Sequence, residues 1–470
     1  MSTLVNMKDI NSRQLHKFGG SSLSNTECYQ RVGNIMAKYS QPGDLMVVSA
    51  AGNTTNQLIN WLTLSRTNPI IGYQIQQNLQ QYQTSLINGL LPPLVAKQLF
   101  TIFIKELRQL ATIINSVITD AVYAEVVGYG EIWSARLMAA LLNQNNIQAR
   151  WLDARNFLYA ERAVQPQIDT NHSWPFLQKI LSQHLAKRLV ITGFICRNKA
   201  GETVLLGRNG SDYSATQIGV LAGVQRITIW SDIAGIYSAD PHKVKDAYLL
   251  PLLHLDEANE LARLAAPVLH ARTLQPIFGK NVDLLFRCSY RPEKGCTQIK
   301  REKIMSGKRT TIIINHDNVY LIELTILSRN NFSLVHNQVN LVIQYAQMKP
   351  LAVGVHRDRC LLQLCYTSET VDNALCIFKK TGLPVRFQLR KSISLIALVG
   401  IDVANNPLYI QCLYQQLIGF PIEFFWKAKN GMSLVAVLST GPTEHLIQKF
   451  HSLLFYTTKY ANLTLLDKAI

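Results

Sequence analysis

Several features are absent from this 470-residue sequence, and each absence excludes a class of protein. No run of about 18 apolar residues occurs, so we expect no membrane span. The eight cysteines form no Cys-x-x-Cys pair, which favours reduced thiols over disulfides or a zinc site. The N-terminus has no apolar signal segment, and a core strand is predicted to begin by Leu15. We therefore expect a cytoplasmic protein.

Acidic residues are also scarce, with 30 Asp and Glu against 47 Lys and Arg, a formal net charge of +17. Such an excess is one mark of a nucleic-acid-binding protein. Here the basic residues are scattered, and clusters such as 300–303 and 379–380 are short. We therefore expect no nucleic-acid partner. Anionic substrates are compatible with the charge but do not explain all of it.

The Walker sequence Gly-x-x-x-x-Gly-Lys-Ser/Thr is missing, yet a glycine-rich turn precedes a helical pattern in the middle of the chain. Residues 207–216 contain two glycines, an arginine and a Ser-Asp pair. Ser211 or Asp212 is expected to cap the helix that follows. Such a turn at a helix N-terminus is suited to binding an anion. An ordinary capped helix after a loop explains the same pattern.

A second glycine turn lies near the N-terminus. Residues 15–18 are predicted to form a strand that carries Lys17 and ends at Gly19-Gly20, and a helical pattern follows over about 25–39. A lysine beside exposed backbone N–H groups suits a nucleotide phosphate.

Three further segments carry candidate ligand-binding groups. A small, polar loop follows the apolar run within 46–56, and a turn-rich loop follows the one within 228–241. Residues 130–136 are interpreted as the start of a helix with Glu131 in its first turn. Open α/β sheets bind their ligands just after the strands.

The chain from about 13 to 295 alternates between strands and helices, which predicts a largely parallel sheet covered by helices. The predicted strands are 45–50, 148–152, 189–196 and 226–230, and the longest predicted helices are 72–89, 93–118 and 131–145. Residues 295–308 are polar and basic and are predicted to form a hinge or linker.

The remainder of the chain has an α+β pattern in two successive parts. The first part has predicted strands at 311–314, 319–324 and 360–365 and helices near 334–348 and 369–381. The second opens with a strand at 392–400 and continues with a helix near 407–418 and strands at 422–426 and 433–438.

In this order, the motifs at 17–21, 47–50, 128–135, 192–194 and 207–215 resemble those of the aspartokinase family of the amino-acid kinase superfamily. The resemblance runs from about 13 to 470. Residues 229–232 and 262–276 narrow it to the kinase half of the bifunctional aspartokinase/homoserine dehydrogenase II type. It implies an α/β amino-acid kinase fold, a mostly parallel sheet sandwiched by helices, followed by α+β ACT-like regulatory domains. The implied boundaries are 1–297 for the catalytic domain and 308–388 and 389–470 for the two ACT-like domains.

The resemblance implies phosphoryl transfer from MgATP to the β-carboxylate of L-aspartate, which yields 4-phospho-L-aspartate and ADP. This reaction is the first step of lysine, threonine and methionine biosynthesis. Magnesium is expected to be carried by the ATP phosphates, with no protein ligand. ACT domains bind amino acids, so lysine, threonine or methionine could each be an effector, or none. A purely structural role in dimerisation is equally open. A homodimer or homotetramer is expected.

The resemblance also assigns residues. Lys17 is expected to contact the transferring phosphate and Asp212 to orient Lys17; Arg208 would bind the α-carboxylate of aspartate, and Glu131 its ammonium group. The full expected set comprises catalytic Lys17 and Asp212; substrate-binding Ser49, Thr55, Glu131, Arg208 and Ser211; and nucleotide-binding Gly19, Gly20, Ser21, Ser231, Asp232 and Tyr237. Simple helix capping for Asp212, a favourable first-turn carboxylate for Glu131, and turn chemistry for the polar loop residues are the competing explanations.

Two positions depart from the family pattern, and both concern ATP affinity. His242 stands where many aspartokinases have arginine, with Lys243 beside it, and Pro267 stands where a lysine is common.

The chain ends without a Gly-x-Gly-x-x-Gly turn after a predicted strand at 463–466, so no homoserine dehydrogenase activity is expected. Residues 467–470 are interpreted as a remnant of that turn. The alternatives are a kinase of the same fold acting on another amino acid, such as glutamate, and a catalytically silent amino-acid-binding regulator.

Overall fold

A computed structural model describes residues 13–114, 117–266, 269–301, 311–346, 348–441 and 444–454. The chain divides into two compact units. Unit 1 comprises Met1–Gly235 and Arg272–Lys300, and unit 2 comprises Ile236–Ala271 and Arg301–Ile470. Pro267 and residues 463–470, for which expectations were stated above, lie outside the described residues.

The named strands, in chain order, are β1 (Gln14–Phe18), β2 (Leu45–Val48), β3 (Ala149–Leu152), β4 (Arg188–Thr192), β5 (Ile195–Arg197), β6 (Thr203–Leu205), β7 (Arg226–Ser231), β8 (Leu252–His254), β9 (Asp283–Cys288), β10 (Cys296–Lys300), β11 (Ile312–Ile326), β12 (Ala352–His356), β13 (Leu361–Thr367), β14 (Val385–Val399), β15 (Ile422–Lys427) and β16 (Ser433–Leu438).

The named α-helices are α1 (Thr26–Tyr39), α2 (Thr54–Thr67), α3 (Pro69–Leu90), α4 (Pro93–Ile114), α5 (Asp120–Gln144), α6 (Thr170–Gln183), α7 (Gly210–Leu221), α8 (Leu255–Arg263), α9 (Ala271–Leu274), α10 (Phe332–Tyr345), α11 (Val371–Lys380) and α12 (Pro407–Gln416). A 3₁₀ turn, Gly20–Leu23, directly follows the β1 region.

The central sheet of unit 1 places seven strands side by side in the order β3-β4-β2-β1-β7-β9-β10. All neighbouring pairs are parallel except β9 and β10, which are antiparallel. The central strands β1 and β2 are buried along almost their whole length, His16 and Lys17 of β1 included, as expected for strands covered on both faces. The predicted mostly parallel sheet with covering helices is therefore confirmed.

Unit 2 is built around a six-stranded antiparallel sheet in the order β12-β13-β11-β14-β16-β15. Helices α10 and α11 pack on one group of its apolar side chains, which includes Ile322 and Leu324. Helix α12 packs on a second group, which includes Ile396 and Leu398. This arrangement agrees with the predicted α+β architecture of this part of the chain.

Three local predictions were wrong. The predicted linker at 295–308 contains strand β10, because Thr297 and Ile299 are buried while their neighbours are less so, and this strand pairs with β9; residues 302–308 lie outside the described part. The strands predicted separately at 311–314 and 319–324 are parts of one long strand, β11, which is locally irregular between His316 and Leu321. Helix α5 begins at Asp120, where the Thr119 side chain accepts a hydrogen bond from the Val122 N–H, so Glu131 lies in mid-helix.

The predicted cap of α7 was also wrong. Asn209 occupies the N-cap position in the left-handed region at φ 52°, and no side chain caps the helix. The side chains of Ser211 and Asp212 are therefore available for other contacts. Among the described helices, none has the length and apolar character needed to cross a bilayer.

Candidate active site

The candidate site lies in unit 1, at the carboxyl edge of the parallel strands. Phe18, at the end of β1, is in register with Val48 on β2 and with Trp230 on β7. Because parallel strands end on the same edge, the segments after these three residues emerge together. Most of the predicted site residues of unit 1 stand on these segments or on the N-terminal turn of α7.

A buried ion pair occupies this edge. The Lys17 Nζ lies 2.5 Å from Oδ1 of Asp212, which stands in the first turn of α7. The Lys17 residue is only 7% exposed. A Cβ atom added at Gly19 would lie 3.4 Å from the Lys17 Nζ, so Gly19 leaves the ammonium group room. The sequence thus brings a cation and a helix N-terminus together at one point, which suits an anionic ligand.

The turn after β1 is held tightly against the turn after β2. The Ser49 N–H donates to the Phe18 carbonyl at 3.1 Å, and the Gly52 N–H donates to the Gly20 carbonyl at 3.0 Å. A Cβ atom at Gly20 would approach the Ala50 carbonyl oxygen to 2.9 Å, a contact that the backbone could relieve only by moving. Glycine at position 20 therefore allows two backbone turns to approach closely.

Glu131 presents a buried carboxylate with an unused oxygen. The residue is 2% exposed, and its Oε1 accepts a hydrogen bond from the Ala50 N–H at 3.2 Å. Its Oε2 makes no hydrogen bond to any residue that the structure describes. Burial raises the pKa of the Glu131 carboxyl to about 8, although the Ala50 hydrogen bond and the charge of Lys17 oppose the shift. A cationic ligand group would complete this site.

Three other predicted substrate-binding residues lie on the turns that border this edge. Arg208 is exposed on the turn between β6 and α7. Ser211 lies beside Gly193, where an added Cβ atom would come within 2.8 Å of the Ser211 Cβ. Thr55 is half-buried in the first turn of α2, and its buried neighbour Thr54 accepts a hydrogen bond from the Gln83 amide.

The predicted nucleotide residues at the end of β7, Ser231 and Asp232, belong to a hydrogen-bonded group. The Ser231 hydroxyl donates to Asp232 Oδ1 at 2.8 Å. The Ser231 carbonyl accepts from the N–H of Ser289 at 2.7 Å and from its hydroxyl at 3.0 Å. The Ser289 hydroxyl also lies 2.8 Å from that of Ser22. The segment after β7 is thus linked through Ser289 to the turn after β1.

Sequence reasoning missed Ser22 and Ser289 as parts of this edge. Ser289 follows β9, which was not predicted as a strand, so no signal pointed to it. Ser22 is the second serine of the Gly-Gly-Ser-Ser turn, and only the first, Ser21, was predicted. Ser21 is exposed, and its carbonyl accepts a hydrogen bond from the Tyr290 hydroxyl at 3.0 Å.

The remaining predicted residue, Tyr237, belongs to unit 2, where its backbone bridges to Leu249. His242 is also in unit 2 and is exposed, with its N–H donating to Asp240 at 2.9 Å.

The donors at the candidate site fit a ligand that brings its own negative charge. The main donor is the Lys17 ammonium group, which lies beside the positive end of the α7 helix dipole. The N–H groups of Gly210 and Asp212 already donate to the carbonyls of Gly207 and Asn209. Within the described part of the chain, no group of three or more His, Cys, Asp or Glu side chains could hold a metal ion. A phosphate-bearing ligand fits the positive charge at this edge.

A parallel sheet with a buried lysine and glycine turns at its carboxyl edge is typical of a phosphate-binding enzyme, and comparison with known proteins agrees. Residues 12–287 match the amino acid kinase family, so the chain belongs to that family.

Within the family, the similarity is to aspartokinases. The chain is 60% identical over 456 residues to the bifunctional aspartokinase/homoserine dehydrogenase 2 of Escherichia coli, a match that covers 97% of this chain and 56% of that protein. It is also 26% identical to the aspartokinase of Chlamydia pneumoniae, with coverage of 94% and 97% respectively. The resemblance inferred from the motifs is confirmed.

Solved structures agree on the fold. The crystal structure of Escherichia coli aspartokinase III in complex with aspartate and ADP covers 94% of this chain with a TM-score of 0.81 and 23% identity. The same enzyme in complex with lysine and aspartate gives a TM-score of 0.72 at 22% identity.

Proposed function

We propose that this protein is an aspartate kinase that transfers the γ-phosphoryl group of MgATP to the β-carboxylate of L-aspartate. The observation that carries the proposal is the buried Glu131 Oε2, which lacks a partner in the described part of the chain, at the same sheet edge as the Lys17–Asp212 pair. An amino acid with a side-chain carboxylate suits both features. Its ammonium group can bind Glu131, and its side-chain carboxylate can act as the nucleophile near Lys17. The relatives named above have the same activity in their names, and the proposal extends that activity to this chain.

The proposed chemistry is mainly positioning and charge neutralisation. The β-carboxylate is already a nucleophile, so no general base is required. Lys17 offsets the negative charge that accumulates as the β-carboxylate oxygens approach the γ-phosphoryl oxygens. Asp212 holds the Lys17 ammonium group in place through the ion pair. Because an ammonium group has three N–H donors, the ion pair with Asp212 leaves other donors of Lys17 available to the phosphate.

The aspartate substrate is proposed to be held at both of its ends. Glu131 binds its ammonium group, and Arg208 binds its α-carboxylate through the planar fork of a guanidinium group. Hydroxyl and amide groups of Ser49, Thr55 and Ser211 complete the site.

The nucleotide is proposed to lie along the other half of the same edge. Gly19, Gly20 and Ser21 contact its phosphates, and Ser231 and Asp232 line its pocket. Magnesium accompanies the ATP phosphates and offsets their charge.

The region after the catalytic part is proposed to be regulatory, with a catalytic domain over 1–297 and ACT-like domains over 308–388 and 389–470. The antiparallel sheet with its packed helices supports this proposal, as does the lysine complex solved for aspartokinase III. An amino-acid effector and a homodimer or homotetramer are part of the same proposal.

The test is a coupled ADP-release assay with MgATP and L-aspartate, with hydroxylamine present to trap the acyl phosphate as a hydroxamate. Aspartate-dependent ADP release with hydroxamate formation supports the proposal, and a panel with glutamate tests the substrate. If the folded protein binds aspartate without turnover, the alternative of a silent amino-acid-binding regulator is favoured.

Aspartate affinity is expected to depend on pH through Glu131. The ionised carboxylate binds the substrate ammonium group, and with a pKa of about 8 most of this group is protonated at pH 6. The apparent KM for aspartate should therefore fall as pH rises, by about a hundredfold between pH 6 and pH 9. Initial rates at constant ionic strength measure it. A KM for aspartate that is flat over this range would contradict the role of Glu131.

A further inference from the structure

Arg272 is a buried arginine of unit 1 that no step of the proposed reaction uses. It stands on the short helix α9 and is 6% exposed. Its guanidinium group donates to the carbonyl of Leu206 and, at 2.5 Å, to the carbonyl of Pro166. The same group lies 4.2 Å from the centre of the Tyr213 ring. One side chain thus contacts both the 206–213 segment and the loop at Pro166, two parts of the chain that are far from it in the sequence.

Two of these three contacts flank the turn that carries Arg208. Leu206 immediately precedes the turn at 207–209, and Tyr213 follows Asp212 in the first turn of α7. Arg272 therefore contacts the chain on both sides of Arg208, whereas Arg208 itself is exposed.

The turn needs such an anchor because its backbone conformation is uncommon. Gly207 has φ 76°, and Asn209, a residue with a side chain, has φ 52°. Two left-handed residues that flank Arg208 restrict where its side chain can point only while the turn is held in this shape. The Leu206 N–H donates to the Phe194 carbonyl at 2.8 Å, so Leu206 is held through its N–H and its carbonyl.

The loop at 166–168 adds support through Tyr213. Its hydroxyl accepts a hydrogen bond from the Ile168 N–H at 3.1 Å and lies 3.1 Å from the Gln167 side-chain oxygen. Pro166, which Arg272 contacts directly, belongs to the same loop. Arg272 and Tyr213 thus both form hydrogen bonds with the loop at 166–168.

We propose that Arg272 is a positioning residue for substrate binding: it fixes the 207–209 turn so that Arg208 can reach the α-carboxylate of aspartate. This inference rests on the proposed function. A planar guanidinium group suits the task because it donates in two fixed directions and stacks on a ring at the same time. A lysine at this position keeps the charge but cannot make all three contacts.

The experiment compares Arg272→Lys with a matched control, Arg188→Lys. Arg188 also donates to a backbone carbonyl, that of Ser40 at 2.9 Å, but it stands at the first residue of β4, on the opposite edge of the sheet. Steady-state kinetics would give the KM for aspartate and for ATP separately. Hydrogen–deuterium exchange of the amides at 205–213, measured without ligands, would report on the turn itself.

For Arg272→Lys we expect the KM for aspartate to rise at least tenfold, the KM for ATP to change less than twofold, and exchange at 205–213 to increase. Arg188→Lys should change none of the three. Equal increases in both KM values, or an unchanged KM for aspartate, would overturn the proposal. If the parent protein shows no aspartate-dependent turnover, the proposed function fails, and unchanged exchange at 205–213 in the variant would separately overturn the positioning role.

Discussion

Replacing Lys17 with alanine is expected to lower kcat about a thousandfold, because the site loses the cation that offsets charge on the transferring phosphoryl group. The effect should fall on kcat more than on the KM for aspartate, since Lys17 acts most strongly in the transition state. Rates of ADP release at saturating substrates measure it.

The fold should survive this change. Asp212 loses its partner, but its side chain is 24% exposed and can be solvated. Lys38→Ala is the matched control, because Lys38 also forms an ion pair, with Glu293 at 2.9 Å, at the surface. The control should retain normal turnover. Near-normal activity of Lys17→Ala, with circular dichroism unchanged, would show that the catalytic assignment is wrong.

The second large effect is expected for Glu131→Gln. The glutamine fills the same space but carries no charge, so the substrate ammonium group would be buried without a counter-ion. A loss of this kind costs about 2–5 kcal/mol, and we therefore expect the KM for aspartate at pH 9, where the parent carboxylate is ionised, to rise about a hundredfold. The KM for ATP should stay nearly constant. The pH dependence of aspartate binding described above should disappear in the same variant.

The free energy of unfolding provides a second, independent test of Glu131→Gln. Burial raises the pKa of Glu131 to about 8, above its value in the unfolded chain, so the folded state binds the proton more tightly. The contribution of this group to stability is therefore lost as pH rises from about 4.5 to about 8. Chemical denaturation at pH 8.5 should find Glu131→Gln at least as stable as the parent.

Glu106→Gln is the matched control for this pair of measurements. The Glu106 carboxylate accepts hydrogen bonds from Arg136 at 2.8 and 2.9 Å and from the Trp133 indole at 3.0 Å. Its removal should destabilise the protein without changing the KM for aspartate. A strong loss of stability in Glu131→Gln at pH 8.5, with an unchanged KM, would instead assign Glu131 a structural role.

Much of the catalytic unit could be predicted because its signals are local. Strand β2 is a short apolar run, and β1 and β7 mix apolar with polar residues. All three end in glycine or polar turns, and each of these patterns is complete within about ten residues. The long helices α3 and α4 were found for the same reason. The motifs at these strand ends were also sufficient to suggest the family.

Other elements could not be predicted from local patterns. The start of α5 was missed because Gly128 and Gly130 weaken its helical signal, while in the structure a Cβ at Gly130 would lie 2.8 Å from the Ala50 Cβ, so glycine there allows close packing. Strand β10 looked like a linker because it is polar, and its pairing with β9 makes it a strand.

The sequence by itself determined the class of fold, the family and the set of residue types at the site, since apolar periodicity and glycine turns act over short distances. Only the tertiary structure decided which of those residues contact one another and how deeply each is buried. It pairs Asp212 with Lys17 instead of with the end of its own helix, buries Glu131 with one oxygen unused, and places Arg272 against the turn of Arg208. Each of these contacts joins residues far apart in the chain, and burial sets the charge state of Glu131. Neither property is encoded in any short stretch of sequence, because both depend on which distant segments exclude water from the same point.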